Sequence, residues 1–99
     1  MLEVLNFEKK QSKKEQATEI IQFLNLKTGR RYRPTQVNLN FIYARLKEGY
    51  TIEEIRAVIA MKVREWQYDD LMSKYLRPAT LFNNVNFNQY AGELGEDVS

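Results

Sequence analysis

The stretch Thr51–Trp66, TIEEIRAVIAMKVREW, decides the fold. Its apolar residues Ile55, Val58, Ile59, Val63 and Trp66 recur at the three- and four-residue spacing that places side chains on one face of an α-helix. Thr51 and Glu54 stand three residues apart. At that spacing a Thr hydroxyl accepts the N3 amide while the Glu carboxylate reaches back to the cap amide. The pattern predicts a helix from about Ile52 to near Gln67 with that stripe buried. Arg56, Lys62 and Arg64 alternate with Glu53, Glu54 and Glu65, and read as a solvated face of intrahelical ion pairs. Trp66 reads as the end of the core stripe, with a base-stacking role as the alternative. A further turn of helix is expected at Asp69–Ser73.

Towards the N-terminus the same grammar repeats. Leu39, Ile42, Tyr43 and Leu46 share one face of a helix expected at Gln36–Lys47, with Thr35 as its cap and Gly49 after its end. Ser12 and Glu15 form another capping box, opening a helix expected at Ser12–Lys27 with Ala17, Ile20, Ile21 and Leu24 inside. Gly29 follows it, and glycine accepts the left-handed conformation that commonly terminates a helix. Residues 1–11 read as a linker or the upstream edge of a larger protein.

Towards the C-terminus, Pro78 suits the first position of a short helix, where its missing N–H costs nothing. Asn83, Asn84 and Asn86 favour turns, and Phe87 and Tyr90 are expected to anchor a final helical turn on the core. Residues 92–99 are acidic and poor in apolar side chains, so a disordered tail is expected there. No segment alternates with the two-residue period of a strand. The expectation is an all-α fold over residues 12–91: a three-helix core plus short C-terminal helical segments.

Composition narrows the chemistry. The 99 residues contain no Cys and no His. Disulfides, thiolate chemistry, the usual neutral-pH base and the commonest metal ligand are thereby missing. The carboxylate pairs Glu53–Glu54 and Asp69–Asp70 come without other ligands of a metal site, and no phosphate-binding glycine-rich loop is present. A non-enzyme without cofactors is expected. No apolar run approaches the roughly 20 residues of a membrane helix, and the N-terminus lacks the order of a signal peptide, so cytoplasm is the expected location.

Charge is unevenly placed. The formal net charge is +2, yet residues 9–33 hold eight basic residues against Glu15 and Glu19, while residues 79–99 hold no Lys or Arg and three acids. The connector Lys27–Arg33 gathers Lys27, Arg30, Arg31 and Arg33 around Tyr32, between Gly29 and Pro34. Lys and Arg neutralise phosphates and release counterions, and a tyrosine ring stacks on an unpaired base. The alternative is a solubilising loop with Tyr32 turned inward. Arg45 and Lys47 either extend this basic surface or complement the negative end of their helix. Arg77 either braces the fold or meets a phosphate.

Four linked motifs carry a resemblance. They are I-x-x-L-N-x-K-T-G-x-x-Y-R-P-T at Ile21–Thr35, I-x-A-R-L-K-E-G-Y-T at Ile42–Thr51, V-I-x-x-K-V-x-E-W at Val58–Trp66 and K-Y-L-R-P-x-T-L-F at Lys74–Phe82. The chain resembles the conserved C-terminal domain of phage replisome-organiser, or DnaD-like replication initiation, proteins. It departs from that family at Ala79, where an acidic residue is usual. The resemblance implies a domain that follows a winged-helix domain, contacts DNA, often single-stranded, and helps recruit a helicase loader or replicative helicase in the bacterial host cytoplasm. Nucleic-acid contact is then expected at Lys27, Arg30, Arg31, Tyr32 and Arg33, with Arg45, Lys47 and Arg77 behind them. The competing expectation is a protein-interaction or self-association module, for which Phe41, Met61 and Leu71 are the apolar candidates.

Overall fold

The computed structural model describes residues 11–98, with side chains described as far as Gly95. Helix α1 spans Lys13–Thr28, α2 spans Gln36–Lys47 and α3 spans Ile52–Trp66. A 3-10 turn at Ser73–Tyr75 leads into the short α4, Pro78–Leu81, and then α5, Asn84–Val98. The described residues contain no strand. The linker expected at residues 1–11 lies, apart from Gln11, outside the described residues.

The caps read from sequence form. Ser12 Oγ accepts the Glu15 amide at 3.1 Å while the Glu15 carboxylate accepts the Ser12 amide at 2.9 Å. Thr51 and Glu54 make the same reciprocal pair at 3.1 and 2.8 Å. Thr35 Oγ1 accepts the Asn38 amide at 3.2 Å. Each cap satisfies an amide that has no partner within the first helical turn. Gly29 ends α1 at φ 74°, and Gly49 turns the chain out of α2 at φ 106°. Both angles lie where an L side chain is strained.

Helix α1 packs on α2 and on α3. Ala17, Ile20, Ile21 and Leu24 of α1 meet Leu39 and Ile42 of α2 and Ile55, Val58, Ile59 and Val63 of α3. The C-terminal third closes the open side of this trio with Leu76, Leu81, Phe82 and Phe87, all buried. Phe82 and Phe87 are the largest fully buried side chains. Each core side chain of this kind contributes roughly 1.5–3 kcal/mol through the water it sheds.

Two expectations are corrected here. The tail from residue 92 is not disordered in the described range, because α5 continues to Val98. Phe87, Tyr90, Ala91 and Leu94 recur at helical spacing and pack against the core, so the stripe carries the helix past Gly92. The helical turn expected at Asp69–Ser73 forms, with the Ser73 amide donating to the Asp69 carbonyl at 3.0 Å, and a 3-10 turn follows it at Ser73–Tyr75. Asp69 Oδ1 caps the turn by accepting the Leu71 and Met72 amides at 2.8 and 2.9 Å. Lys62, expected on a solvated face, is buried, with a relative exposure of 4%. Its stem lies among core residues and its ammonium meets α5, so the intrahelical charge pattern gave no sign of its burial.

Candidate nucleic-acid interface

The basic connector is a fixed structure. Asn25, on the last turns of α1, holds Tyr32 from both sides. Its Nδ2 donates to the Tyr32 carbonyl at 2.8 Å and its Oδ1 accepts the Tyr32 amide at 2.8 Å. Asn38 Nδ2 donates to the Arg33 carbonyl at 2.8 Å. These side chains supply the backbone partners that a loop cannot find in a helix or sheet ladder.

The connector is also tied to the segment after α3. Arg30 donates from Nη2 to the Ser73 carbonyl at 2.9 Å and from Nη1 to the Leu76 carbonyl at 3.3 Å. The Tyr32 hydroxyl donates to the same Leu76 carbonyl at 3.0 Å, and Arg30 Nη1 lies 3.2 Å from that hydroxyl. The Tyr32 ring packs against the core. Arg30 and Tyr32 therefore brace the fold. Tyr32 is half-buried, with its hydroxyl bonded to the Leu76 carbonyl.

Two segments distant in sequence are thus held side by side, and their remaining cations point outward. Arg31, Arg33, Lys74 and Arg77 are exposed. Among the described residues the ion pairs join Arg45 to Glu48, Arg56 to Glu19, and Lys62 to Glu65 and Glu93, so none neutralises these four. Between Lys74 and Arg77 stands Tyr75, half-buried. Lys74 Nζ lies 5.3 Å and Arg77 Cζ 5.0 Å from its ring centroid.

Arg45 and Lys47 lie away from the connector, and Lys27 stands on the last turn of α1 beside it. Arg45 is buried at 5% exposure. Its Nη1 donates to the Phe82 carbonyl and its Nη2 to Glu48, each at 2.8 Å, while its Nε has no partner among the described residues. It fastens α2 to the end of α4. Lys47 is exposed at the far end of α2, about 16 Å of helix from the connector. Lys27 is exposed, 5.4 Å over the Phe23 ring, and borders a hollow shared with Arg64 of α3 and Gln67 just after it. Lys74 and Tyr75 were not among the residues expected at the interface, although the motif at Lys74–Phe82 contains both. Their signal was the interleaving Lys-Tyr-Leu-Arg, the same basic and aromatic mixture that marks the connector.

The rest of the surface offers a different chemistry. A hollow of about 620 Å³ between α3 and α5 is lined by Ala57, Ala60, Ala91 and Leu94 with Glu53 and Arg64 at its rim. Among the described residues no three His, Cys, Asp or Glu side chains gather where a metal ion would sit. No described helix is long and apolar enough to cross a membrane. Of the apolar candidates for a protein contact, Met61 is buried in α3 and Phe41 is half-buried against the core, leaving Leu71 exposed.

A family model described as a conserved phage C-terminus matches residues 20–92. No curated protein and no solved structure matches the chain.

Proposed function

The chain belongs to the conserved phage C-terminus family, and from that premise we propose that it is a DNA-contacting accessory module of a phage or prophage replication initiation protein. In this reading it binds DNA, single strands in preference, within the bacterial cytoplasm, and helps recruit the helicase-loading machinery. It does no chemistry of its own; strand opening and ATP hydrolysis belong to its partners.

One observation carries the reading. Hydrogen bonds from Arg30 and Tyr32 lock the connector to the Ser73–Arg77 segment, and four exposed cations that pair with no carboxylate among the described residues flank the junction. Cations carried on a fixed backbone leave only side-chain freedom to lose on meeting a phosphate chain, so more of each contact appears as affinity. The site is sorted accordingly: Arg31, Arg33 and Lys74 contact phosphate, while Arg30 and Tyr32 hold together the segments that carry them.

Fluorescence anisotropy with labelled single- and double-stranded DNA over a salt series tests it. Replacing Arg31, Arg33 and Lys74 together with Ala is expected to weaken binding at least tenfold. The same change should flatten the plot of log affinity against log salt by about 2, three contacts at ~0.7 each. Unchanged affinity and slope in this variant would remove the proposal.

A second reading, contact with the helicase or its loader, draws on the turn after α3, where Tyr68 and Leu71 are 89% and 76% exposed beside Asp69 and Asp70. Loss of loader capture in a Tyr68→Ser, Leu71→Ser variant that still binds DNA would favour it. Self-association through the same turn would appear as a mass above the monomer in light scattering.

A further inference from the structure

We infer that Arg77 and Tyr75 form a stacking plate for one unpaired base, which makes single-stranded DNA the ligand of this surface. The inference rests on the DNA-binding reading above and assigns the base-recognising element to a place the connector does not supply.

The backbone fixes the plate. Tyr75 closes the 3-10 turn, donating its amide to the Met72 carbonyl at 2.9 Å, and the Arg77 amide donates back to the Tyr75 carbonyl at 2.8 Å. Arg77 is extended, φ −148° and ψ 156°, directly before Pro78, where the proline ring disfavours a helical conformation. The Ser73 and Leu76 carbonyls on either side of Tyr75 are held by Arg30 and Tyr32. Tyr75 therefore sits on a short arch clamped at both feet.

The side chains complete it. The Arg77 guanidinium lies over the Tyr75 ring, 5.0 Å from Cζ to the centroid, and its Nε donates to Thr80 Oγ1 at 3.0 Å. A planar cation is thus held against a ring on one side and tethered through Nε, while the residue as a whole is exposed. Guanidinium planes and aromatic rings are the two surfaces on which proteins stack splayed bases. In a duplex both faces of a base are covered by its neighbours, so only an unpaired base reaches the plate. Lys74 on the near side and Arg31 and Arg33 on the adjoining connector would meet the flanking phosphates. Tyr32 is less suited to this role, because its hydroxyl is bonded to Leu76 and its ring packs against the core.

The test uses the whole chain with a labelled oligo-dT and a duplex of equal length, measured by anisotropy, together with an oligonucleotide carrying 2-aminopurine, whose fluorescence is quenched on stacking. Arg77→Lys keeps the charge and loses the plane. Tyr75→Leu loses the ring, and Tyr75→Phe keeps it. Arg77→Lys and Tyr75→Leu are expected to bind the single strand about tenfold more weakly, within the range known for base–aromatic stacking. Duplex binding and the salt slope of Arg77→Lys should stay at the original values, and Tyr75→Phe should bind normally. Quenching by the unmodified chain should vanish in Arg77→Lys, a readout that holds even if Tyr75→Leu fails to fold. Single-strand affinity and quenching unchanged in Arg77→Lys overturn this inference alone, provided that the triple variant of Arg31, Arg33 and Lys74 still weakens binding. Absence of binding to either strand form at low salt overturns both readings.

Discussion

At position 62 the chain buries an ammonium group between two rings and two carboxylates. Lys62 Nζ lies 5.2 Å from the Trp66 centroid and 4.3 Å from that of Tyr90, and it donates to Glu65 and Glu93 at 2.9 and 3.0 Å. Burial pulls its pKa down, but the hydrogen bonds and charges of the two carboxylates outweigh that and raise it above its ordinary 10.5. Burial pushes the Tyr90 phenol above 10.0; Lys62 opposes the shift and Glu93 and Glu65 add to it. Both directions carry the same sign. A raised folded pKa gives stability that is complete below the unfolded value and is lost as pH climbs through the folded one. Urea midpoints are therefore expected to hold level across neutral pH and fall above about pH 10, with a shallower fall in Lys62→Met. A level midpoint to higher pH would show that the cluster does not couple to folding. The cluster is also asymmetric, because the carboxylate side chains are each 47% exposed while the ammonium is enclosed. Lys62→Met leaves two carboxylates that water can solvate and should cost under about 1.5 kcal/mol. Replacing Glu65 and Glu93 with Ala strands a buried cation and should cost about 3 kcal/mol. Equal losses in urea unfolding would contradict that order.

Among the elements, α5 is the one whose extent was least legible. Its Gly92, Gly95 and acidic residues read as a tail, yet Phe87, Tyr90, Ala91 and Leu94 form a stripe against the core. Trp66 meets Tyr90 edge-on at 5.8 Å, and Tyr50 meets Phe87 edge-on at 4.8 Å. Asn83 opens the helix by accepting the Val85 and Asn86 amides at 2.9 and 3.2 Å. A chain ending at Ala91 loses Leu94 and the Glu93 partner of Lys62. It is expected to lose helical ellipticity and about 1–2 kcal/mol of stability, or roughly 4–16 °C in Tm. A disordered tail would be removed without effect, so an unshifted melt would refute the packing of this segment. The first three helices were legible because each announces itself twice: by an apolar period and by a capping side chain at its start. Nothing comparable marks the end of α5.

For the whole molecule, the net charge of +2 predicts little about partners, and the distribution of free cations predicts more. If Arg31, Arg33 and Lys74 are the phosphate contacts, log affinity for single-stranded DNA should fall against log salt with a slope of about −2.1, three contacts at ~0.7 each. A slope near zero would mean that the surface does not meet a phosphate chain. The eight basic residues between 9 and 33 would have suggested a steeper dependence. The sequence by itself determined the class and order of the helices, most of the core stripe, the caps and the position of the basic connector. Those properties depend on spacing within a few residues along the chain, which is where helix periodicity and hydrogen-bonded caps operate. Tertiary structure alone decided which cations are available. Arg45 is turned inward onto the Phe82 carbonyl, Lys62 is enclosed by residues of α3 and α5, and Arg30 is occupied by carbonyls more than forty positions away. Local spacing cannot report such contacts, because the fate of a long charged side chain depends on which carbonyl, carboxylate or ring packing brings within its reach.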